Sequence, residues 1–106
     1  MENWHQFGDI LMVDLEKSNR SYQTIIFVKE TGRDVIGIPL VPQVLQTTLP
    51  TQLVITKTEE NGLPTDGLAL CHQGVQLNGD HIKGKIGQLT FEETGKINEI
   101  LTELSR

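Results

Sequence analysis

His72 is the side chain best suited to acid–base chemistry in this sequence, because an imidazole changes its charge near neutral pH. It follows Cys71 directly, so on a strand the two side chains point to opposite faces and cannot form a nucleophile–base pair. Cys71 is therefore predicted to be a small, buried, apolar residue. The other histidines, His5 and His81, do not match a zinc-binding spacing with it. We predict no metal site and no cofactor.

The charge balance limits the partners of the chain. Its 106 residues carry a formal net charge of −5 at pH 7, which argues against a broad surface that neutralises many nucleic-acid phosphates. Basic residues are nevertheless concentrated locally, with Lys17 and Arg20 in the first third and Lys83 and Lys85 near a later turn. Two interpretations of these residues therefore stay open, a local basic groove and a solvated surface of mixed charge.

Length and cysteine content indicate one cytoplasmic domain. A chain of 106 residues has the size of a single domain. A single cysteine cannot form an internal disulfide, which fits a reducing compartment. No segment has the ~18 apolar residues that a membrane span needs. The N-terminus lacks the basic region and apolar run of a signal peptide.

Apolar, β-branched and aromatic runs separated by turn residues predict a β-rich fold. The predicted strands are residues 10–15, 22–28, 34–41, 51–58, 68–75 and 82–89. In the third strand, Gly37 is expected to mark a bulge and Pro39 a bend or a sheet edge. Residues 16–21 are predicted to form a loop, whereas residues 42–50 are ambiguous between a loop and a short helical turn.

One helix is predicted at the C-terminus. Thr90 and Glu93 have the spacing of a capping box, in which each side chain binds the backbone amide of the other residue. The apolar residues that follow lie on one helical face, and they are Ile97, Ile100, Leu101 and Leu104. Gly95 weakens the helix and is expected to allow close packing on the sheet. The predicted fold class is mainly β or α+β, a bent antiparallel sheet with a C-terminal helix.

Four segments, in order, carry a resemblance to a known family. They are GDILMVDL at residues 8–15, LPTQLVI at 49–55, GLALCHQ at 67–73 and IKGKIGQLTFEE at 82–93. Together they resemble the MazF/PemK toxins of type II toxin–antitoxin systems, in the superfamily that includes Kid and CcdB. The resemblance implies a single domain over residues 1–106, a small SH3-like antiparallel β-barrel with a C-terminal helix. It also implies a homodimer, an antitoxin protein as partner, and endoribonuclease activity on mRNA.

The sequence departs from the family at the catalytic positions. The RNA-cleaving members carry an Arg before the second strand and a Thr or Ser at the end of the third, where this chain has Gln23 and Val41. The family's acidic residue falls on His72, and its Arg partner falls on Leu70. RNA cleavage by attack of the 2′-hydroxyl needs a base, an acid and a positive group. Gln23 is neutral, and Val41 cannot perform any of these roles.

The resemblance and the local chemistry together select the candidate site residues. The catalytic candidates are His72, Arg20 and Gln23, with Arg20 close enough in sequence to reach the same groove and stabilise a phosphate. The candidates for contact with RNA or a partner are Lys17, Asn19, Tyr22, Gln73, Lys83 and Lys85.

Three readings of the function stay open. The first is an endoribonuclease toxin with altered catalytic positions, and the second is a catalytically inactive binding module for an antitoxin-like peptide, RNA or protein. In the second reading, His72 is an ordinary half-buried strand histidine. The third, a CcdB-like gyrase inhibitor, is disfavoured because the chain ends in Leu104, Ser105 and Arg106 rather than in the Trp-Gly-Ile tail of that branch.

Overall fold

The computed structural model describes residues 5–18, 22–42 and 49–105. Seven strands form one antiparallel sheet: β1 Asp9–Val13, β2 Thr24–Thr31, β3 Asp34–Pro42, β4 Gln52–Ile55, β5 Gly67–Leu70, β6 Val75–Asn78 and β7 Ile82–Gln88. Two α-helices, α1 Leu15–Ser18 and α2 Phe91–Leu104, and a 3₁₀ turn at Gly79–His81 complete these ranges. None of the described helices is long and apolar enough to cross a membrane.

The strand order is β4-β5-β3-β2-β1-β7, and β6 also pairs with β3. β3 is the central strand, because its first half pairs with β6 and its last three residues pair with β5. The predicted class, an antiparallel sheet with a C-terminal helix, is confirmed. The sheet is open in the described ranges, since β4 and β7 stand at its two ends. The predicted barrel is therefore not closed.

The strand predicted at residues 68–75 is two strands. The chain turns after Leu70, where the Gln73 amide donates to the Leu70 carbonyl oxygen over 2.9 Å. β5 and β6 then pair with different parts of β3. The long strand β3 thus pairs with two short strands on the same side. A local sequence pattern does not reveal this division.

Three local expectations need correction. The bulge lies on β2, where Val28 is the extra residue between the pairs Phe27–Gly37 and Lys29–Ile36. Pro39 is not at a sheet edge but lies between the parts of β3 that pair with β6 and with β5. The predicted loop at residues 16–21 begins as α1, because the Asp14 carboxylate accepts hydrogen bonds from the amides of Glu16 and Lys17.

The apolar residues form two clusters, on opposite faces of the sheet. Alternate residues of a strand face opposite sides, so Ile10 joins one cluster and Leu11 the other. The first cluster lies between the sheet and α2 and includes Ile26, Ile38 and Ile97. The second lies on the other face and its buried members are Leu11, Val13, Ile25, Phe27, Val35 and Leu77.

The predicted capping box of α2 is confirmed. The Glu93 amide donates to Thr90 Oγ1 over 3.1 Å, and the Thr90 amide donates to Glu93 Oε1 over 2.9 Å. Ile97 is fully buried. The expectation that Gly95 permits close packing is wrong, because an added Cβ there would meet no atom of the described chain within 4 Å.

Candidate functional site

A pocket of about 340 Å³ lies where β2 begins, β3 ends and β5 begins. Thr24 pairs with Leu40 across the antiparallel β2–β3 ladder, so Gln23 stands next to Val41. Both residues line the pocket. The fold thus brings together the two positions at which the resemblance expects a catalytic Arg and a catalytic Thr or Ser.

The pocket lining is mainly apolar. Its apolar residues are Met12, Leu15, Leu40, Val41, Pro42, Leu63, Pro64 and Ile86, and its other residues are Tyr22, Gln23, Thr24, Gly62, Thr65, Asp66 and Gly67. Tyr22 is half-buried and also packs against the second apolar cluster. Among these lining residues the carboxylate of Asp66 is the charged group, so the described walls present negative rather than positive charge.

Most polar groups of the pocket already have partners. Thr24 Oγ1 donates to the Leu40 carbonyl oxygen over 2.6 Å, and Asp66 Oδ1 accepts from the Lys57 amide over 2.9 Å. The Gln23 carbonyl oxygen accepts from the Val13 amide over 2.8 Å. The side-chain amide of exposed Gln23, by contrast, makes no hydrogen bond to another residue of the described ranges. The Gln23 side chain can therefore bind a ligand without losing an internal partner.

The buried side chain of Asn61 stabilises the pocket wall formed by residues 62–67. This side chain is 1% exposed, and burying an amide is costly unless it is hydrogen-bonded. Its Oδ1 accepts from the amides of Thr58 and Leu63 over 2.9 and 3.1 Å. Its Nδ2 donates to the Thr56 carbonyl oxygen over 2.8 Å. Asn61 therefore satisfies three backbone groups of its own loop.

The same loop lies directly against β7. Gly62 has a φ of +68°, and an added Cβ there would clash with the Ile86 carbonyl oxygen. An added Cβ at Gly87 would clash with the Asn61 backbone. The Gln88 amide donates to the Glu60 carbonyl oxygen over 3.2 Å. Two glycines and a hydrogen bond between the loop and β7 thus fix the position of the pocket wall.

His72 lies away from the pocket. Gly67, at the start of β5, lines the pocket, whereas His72 is two residues beyond the other end of β5. The exposed imidazole has its Nδ1 3.3 Å from Thr51 Oγ1 and its Nε2 3.3 Å from Nε2 of the exposed Gln73. The structure therefore does not bring His72 together with Gln23. Two further candidate residues, Arg20 and Asn19, lie outside the described residues.

Cys71 is buried and His72 is exposed, but both lie in the turn after β5 rather than on the predicted strand. Cys71 is 3% exposed, and burial raises the pKa of its thiol. A thiol with a raised pKa stays protonated and is a poor nucleophile. The described residues contain no group of three or more potential metal ligands of the His, Cys, Asp and Glu types.

The predicted lysines occupy two different environments. Lys85 Nζ lies 3.2 Å from Oδ1 of the buried Asp9, whose other oxygen accepts from the Gln6 amide over 2.8 Å. Lys85 thus neutralises a buried carboxylate. Lys83, exposed on β7, and Lys17, exposed on α1, lie within electrostatic reach of Asp14.

Asp14 links this lysine pair to α1. Its pKa is lowered chiefly by the backbone hydrogen bond from Lys17, with further contributions from the Glu16 amide and from the positive charges of Lys83 and Lys17. The next residue, Leu15, lines the pocket. Lys17 is therefore two residues along α1 from a lining residue, and neither Lys17 nor Lys83 is itself part of the pocket lining.

Sequence reasoning missed Asn61, Leu63 and Asp66 as parts of the site. All three lie in a segment rich in Asn, Gly, Pro and Asp, which it identified only as turns. The burial of Asn61 was the missing information, and it depends on distant residues such as Gly87. A sequence signal does exist in the Asn-Gly pair, but the same pair at Asn78 and Gly79 has an exposed Asn.

Comparisons with known proteins agree with this architecture. The family model described as PemK-like, MazF-like toxin of type II toxin-antitoxin system matches residues 6–105. No curated protein matches the chain in sequence. Among solved structures, the chain is similar to an endoribonuclease from a mycobacterial species, with a TM-score of 0.72 and 22% identity over 99% of this chain and 95% of that one.

Two further structures show the same fold. A mycobacterial endoribonuclease in complex with its cognate antitoxin has a TM-score of 0.71 and 21% identity, covering 95% of both chains. The Mycobacterium tuberculosis toxin MazF-mt6 has a TM-score of 0.71 and 16% identity, covering 90% of this chain and 93% of that one.

Proposed function

The chain belongs to the family of PemK-like, MazF-like toxins of type II toxin–antitoxin systems, and from this premise we propose that it is a toxin component that acts on RNA as an endoribonuclease. The observation that carries the proposal is the family match over residues 6–105, which includes all seven strands and the whole of α2. The endoribonuclease names of two similar structures support RNA as the target.

An antitoxin protein is the proposed partner. One similar structure was solved with its cognate antitoxin, and this chain covers nearly the whole length of that toxin. We further propose that the chain is one domain that forms a homodimer in the cytoplasm. Phe91 is 94% exposed and Leu104 is 44% exposed at the two ends of α2, and apolar surface of this kind favours association. Light scattering at micromolar concentration should give twice the monomer mass of 11.9 kDa.

Cleavage by this toxin is proposed to be slow compared with relatives that carry the catalytic Arg and Thr. Gln23 supplies no positive charge to a reacting phosphate, and Val41 supplies no proton-transfer group. Losing a general acid–base group costs typically ~100-fold or more in rate. His72 and Arg20 are the candidate residues for the remaining chemistry.

A second function is favoured by the apolar pocket. A non-catalytic module would keep the fold and the partner-binding surface without cutting RNA. The apolar residues Val41 and Leu63 and the negative charge of Asp66 suit partner binding better than phosphate chemistry. This candidate predicts the same antitoxin complex and the same dimer, but no new RNA ends.

Induced expression in a bacterial host, with mapping of RNA 5′ ends, tests the proposal. We expect growth arrest and new 5′ ends at preferred sites. Arrest without new ends would favour the non-catalytic module. Normal growth and unchanged RNA, with the folded protein present at high level, would contradict the toxin assignment.

A further inference from the structure

The apolar lining of the pocket comes from two separate parts of the chain. Met12 and Leu15 come from β1 and α1, and Leu63 and Pro64 come from the loop before β5. The volume of about 340 Å³ is at the small end of the range for ligand sites in proteins, with room for one planar ring system. Apolar side chains of this kind bind the uncharged faces of a ring.

The charge inside the pocket is unsuited to a phosphate. Asp66 places a carboxylate in the lining, with one oxygen accepting the Lys57 amide, and a phosphate beside it would meet like charge. Positive charge lies on neighbouring segments instead: Lys17 follows the lining residue Leu15 on α1, and Lys83 follows Ile82, which pairs with Val13 of β1. An RNA strand can therefore place its phosphates near Lys17 and Lys83 and insert an uncharged group into the pocket.

Gln23 supplies the polar contact that an uncharged ring needs. Its side-chain amide is exposed, lines the pocket and has no internal partner among the described residues. An amide carries both a donor and an acceptor, so it can bind the edge of a nucleobase through two hydrogen bonds. The same position in the RNA-cleaving relatives is expected to hold an Arg, which would bind a phosphate.

The pocket is also preorganised for a ligand. The wall at residues 62–67 is fixed by the three side-chain hydrogen bonds of Asn61 and by the contact of Gly62 with β7. A fixed wall reduces the entropy that binding would otherwise cost.

We propose that this pocket binds a single nucleobase of single-stranded RNA, and that Gln23 binds the base edge. The inference rests on the proposed function, because it takes RNA as the target. It changes the role of the Gln23 position from phosphate stabilisation to base recognition, and it places the phosphates at Lys17 and Lys83.

Nuclear magnetic resonance titration tests the pocket without requiring cleavage. The four free nucleosides and inorganic phosphate are added separately to the labelled, full-length protein. We expect at least one nucleoside to shift the Gln23 side-chain amide and the methyl signals of Val41 and Leu63, and we expect inorganic phosphate to leave them unchanged. Shifts caused by phosphate but by no nucleoside would overturn the inference, as would no shift with any of the five ligands.

RNA binding supplies the second measurement. A single-stranded RNA of about ten nucleotides should bind roughly tenfold more tightly than the same backbone with its bases removed. Gln23→Leu should reduce this ratio towards one, whereas Gln6→Leu, at an exposed glutamine outside the pocket, should leave it unchanged. Lys17→Ala should weaken both RNAs equally and lower the salt dependence of binding.

The outcomes separate this inference from the proposed function. Cleaved RNA in the host with no base dependence at Gln23 would remove the inference and keep the function. Nucleoside shifts in the pocket with no toxicity and no RNA cleavage would keep the base site and remove the endoribonuclease. A pocket that responds only to an apolar antitoxin peptide would overturn the nucleobase assignment.

Discussion

Gln23 stands beside Val41 on the neighbouring strand, and both line one mainly apolar pocket. The β2–β3 ladder creates this proximity, because Thr24 pairs with Leu40 in an antiparallel register. The two positions at which the resemblance expects a catalytic Arg and a catalytic Thr or Ser are therefore neighbours in this fold. From this relationship we predict that the chain cleaves RNA more slowly than relatives that carry Arg and Thr at these positions.

Asn61→Ala should destabilise the fold and loosen the pocket wall. The substitution leaves the amides of Thr58 and Leu63 and the Thr56 carbonyl without their partner, and an unsatisfied buried group costs about 1–3 kcal/mol. Urea denaturation should show a loss in the free energy of unfolding within that range. The control is Asn98→Ala on the exposed side of α2, and equal effects from the two variants would contradict the role of Asn61.

Gly95→Ala and Gly87→Ala should change stability in opposite directions. An added Cβ at Gly95 meets no described atom within 4 Å, so alanine should stabilise α2 by about 1 kcal/mol. An added Cβ at Gly87 clashes with the Asn61 backbone and should lower the melting temperature. Thermal unfolding of both variants checks this pair, and a stabilised Gly87→Ala protein would show that the loop is not seated on β7.

Asp14 should contribute to acid sensitivity. Its folded pKa lies below the ordinary value of 3.8, chiefly because of the backbone hydrogen bond from Lys17. A lowered folded pKa means that its contribution to stability is present above the unfolded value and is lost as the pH falls through the folded value. Asp14→Asn keeps a side-chain oxygen that can accept hydrogen bonds from the amides at the start of α1. Because asparagine does not titrate, the variant should lose less stability than the parent as the pH falls below 3.8. Identical pH profiles from urea denaturation would refute this.

His72→Ala should lower RNA cleavage by about 100-fold if His72 acts in acid–base catalysis. His81→Ala is the matched control, because that half-buried imidazole lies in the 3₁₀ turn before β7. The position of His72 beyond the far end of β5 means that such a loss would place the reacting phosphate near Thr51 rather than in the pocket. An unchanged rate in a folded His72→Ala protein would remove His72 from the mechanism.

Local sequence patterns predicted those parts of the fold that depend on near neighbours. The capping box of Thr90 and Glu93 and the apolar stripe of α2 are contained within fifteen residues, and both are present. The division between β5 and β6 was not predictable in this way, because it follows from the pairing of each with a different part of β3. Strand partners far apart in sequence decided that feature.

The site was predictable only where the family resemblance supplied the spatial relationship. The resemblance placed Gln23 and Val41 at functionally related positions, and the structure puts them side by side. Asn61 and Asp66 had no such guide, since their loop has the composition of an ordinary exposed turn. The contact of that loop with β7 through Gly87 is tertiary and cannot be obtained from local composition.

The most direct test restores the family's catalytic types in the pocket. The rates at which purified parent protein and the double variant Gln23→Arg/Val41→Thr cleave a mixed-sequence RNA should be compared, with circular dichroism to establish that both are folded. We predict slow cleavage by the parent and a rate about 100-fold higher in the double variant, because arginine adds phosphate stabilisation and threonine adds a hydroxyl. Rapid cleavage by the parent, or a folded double variant no faster than the parent, would contradict the account.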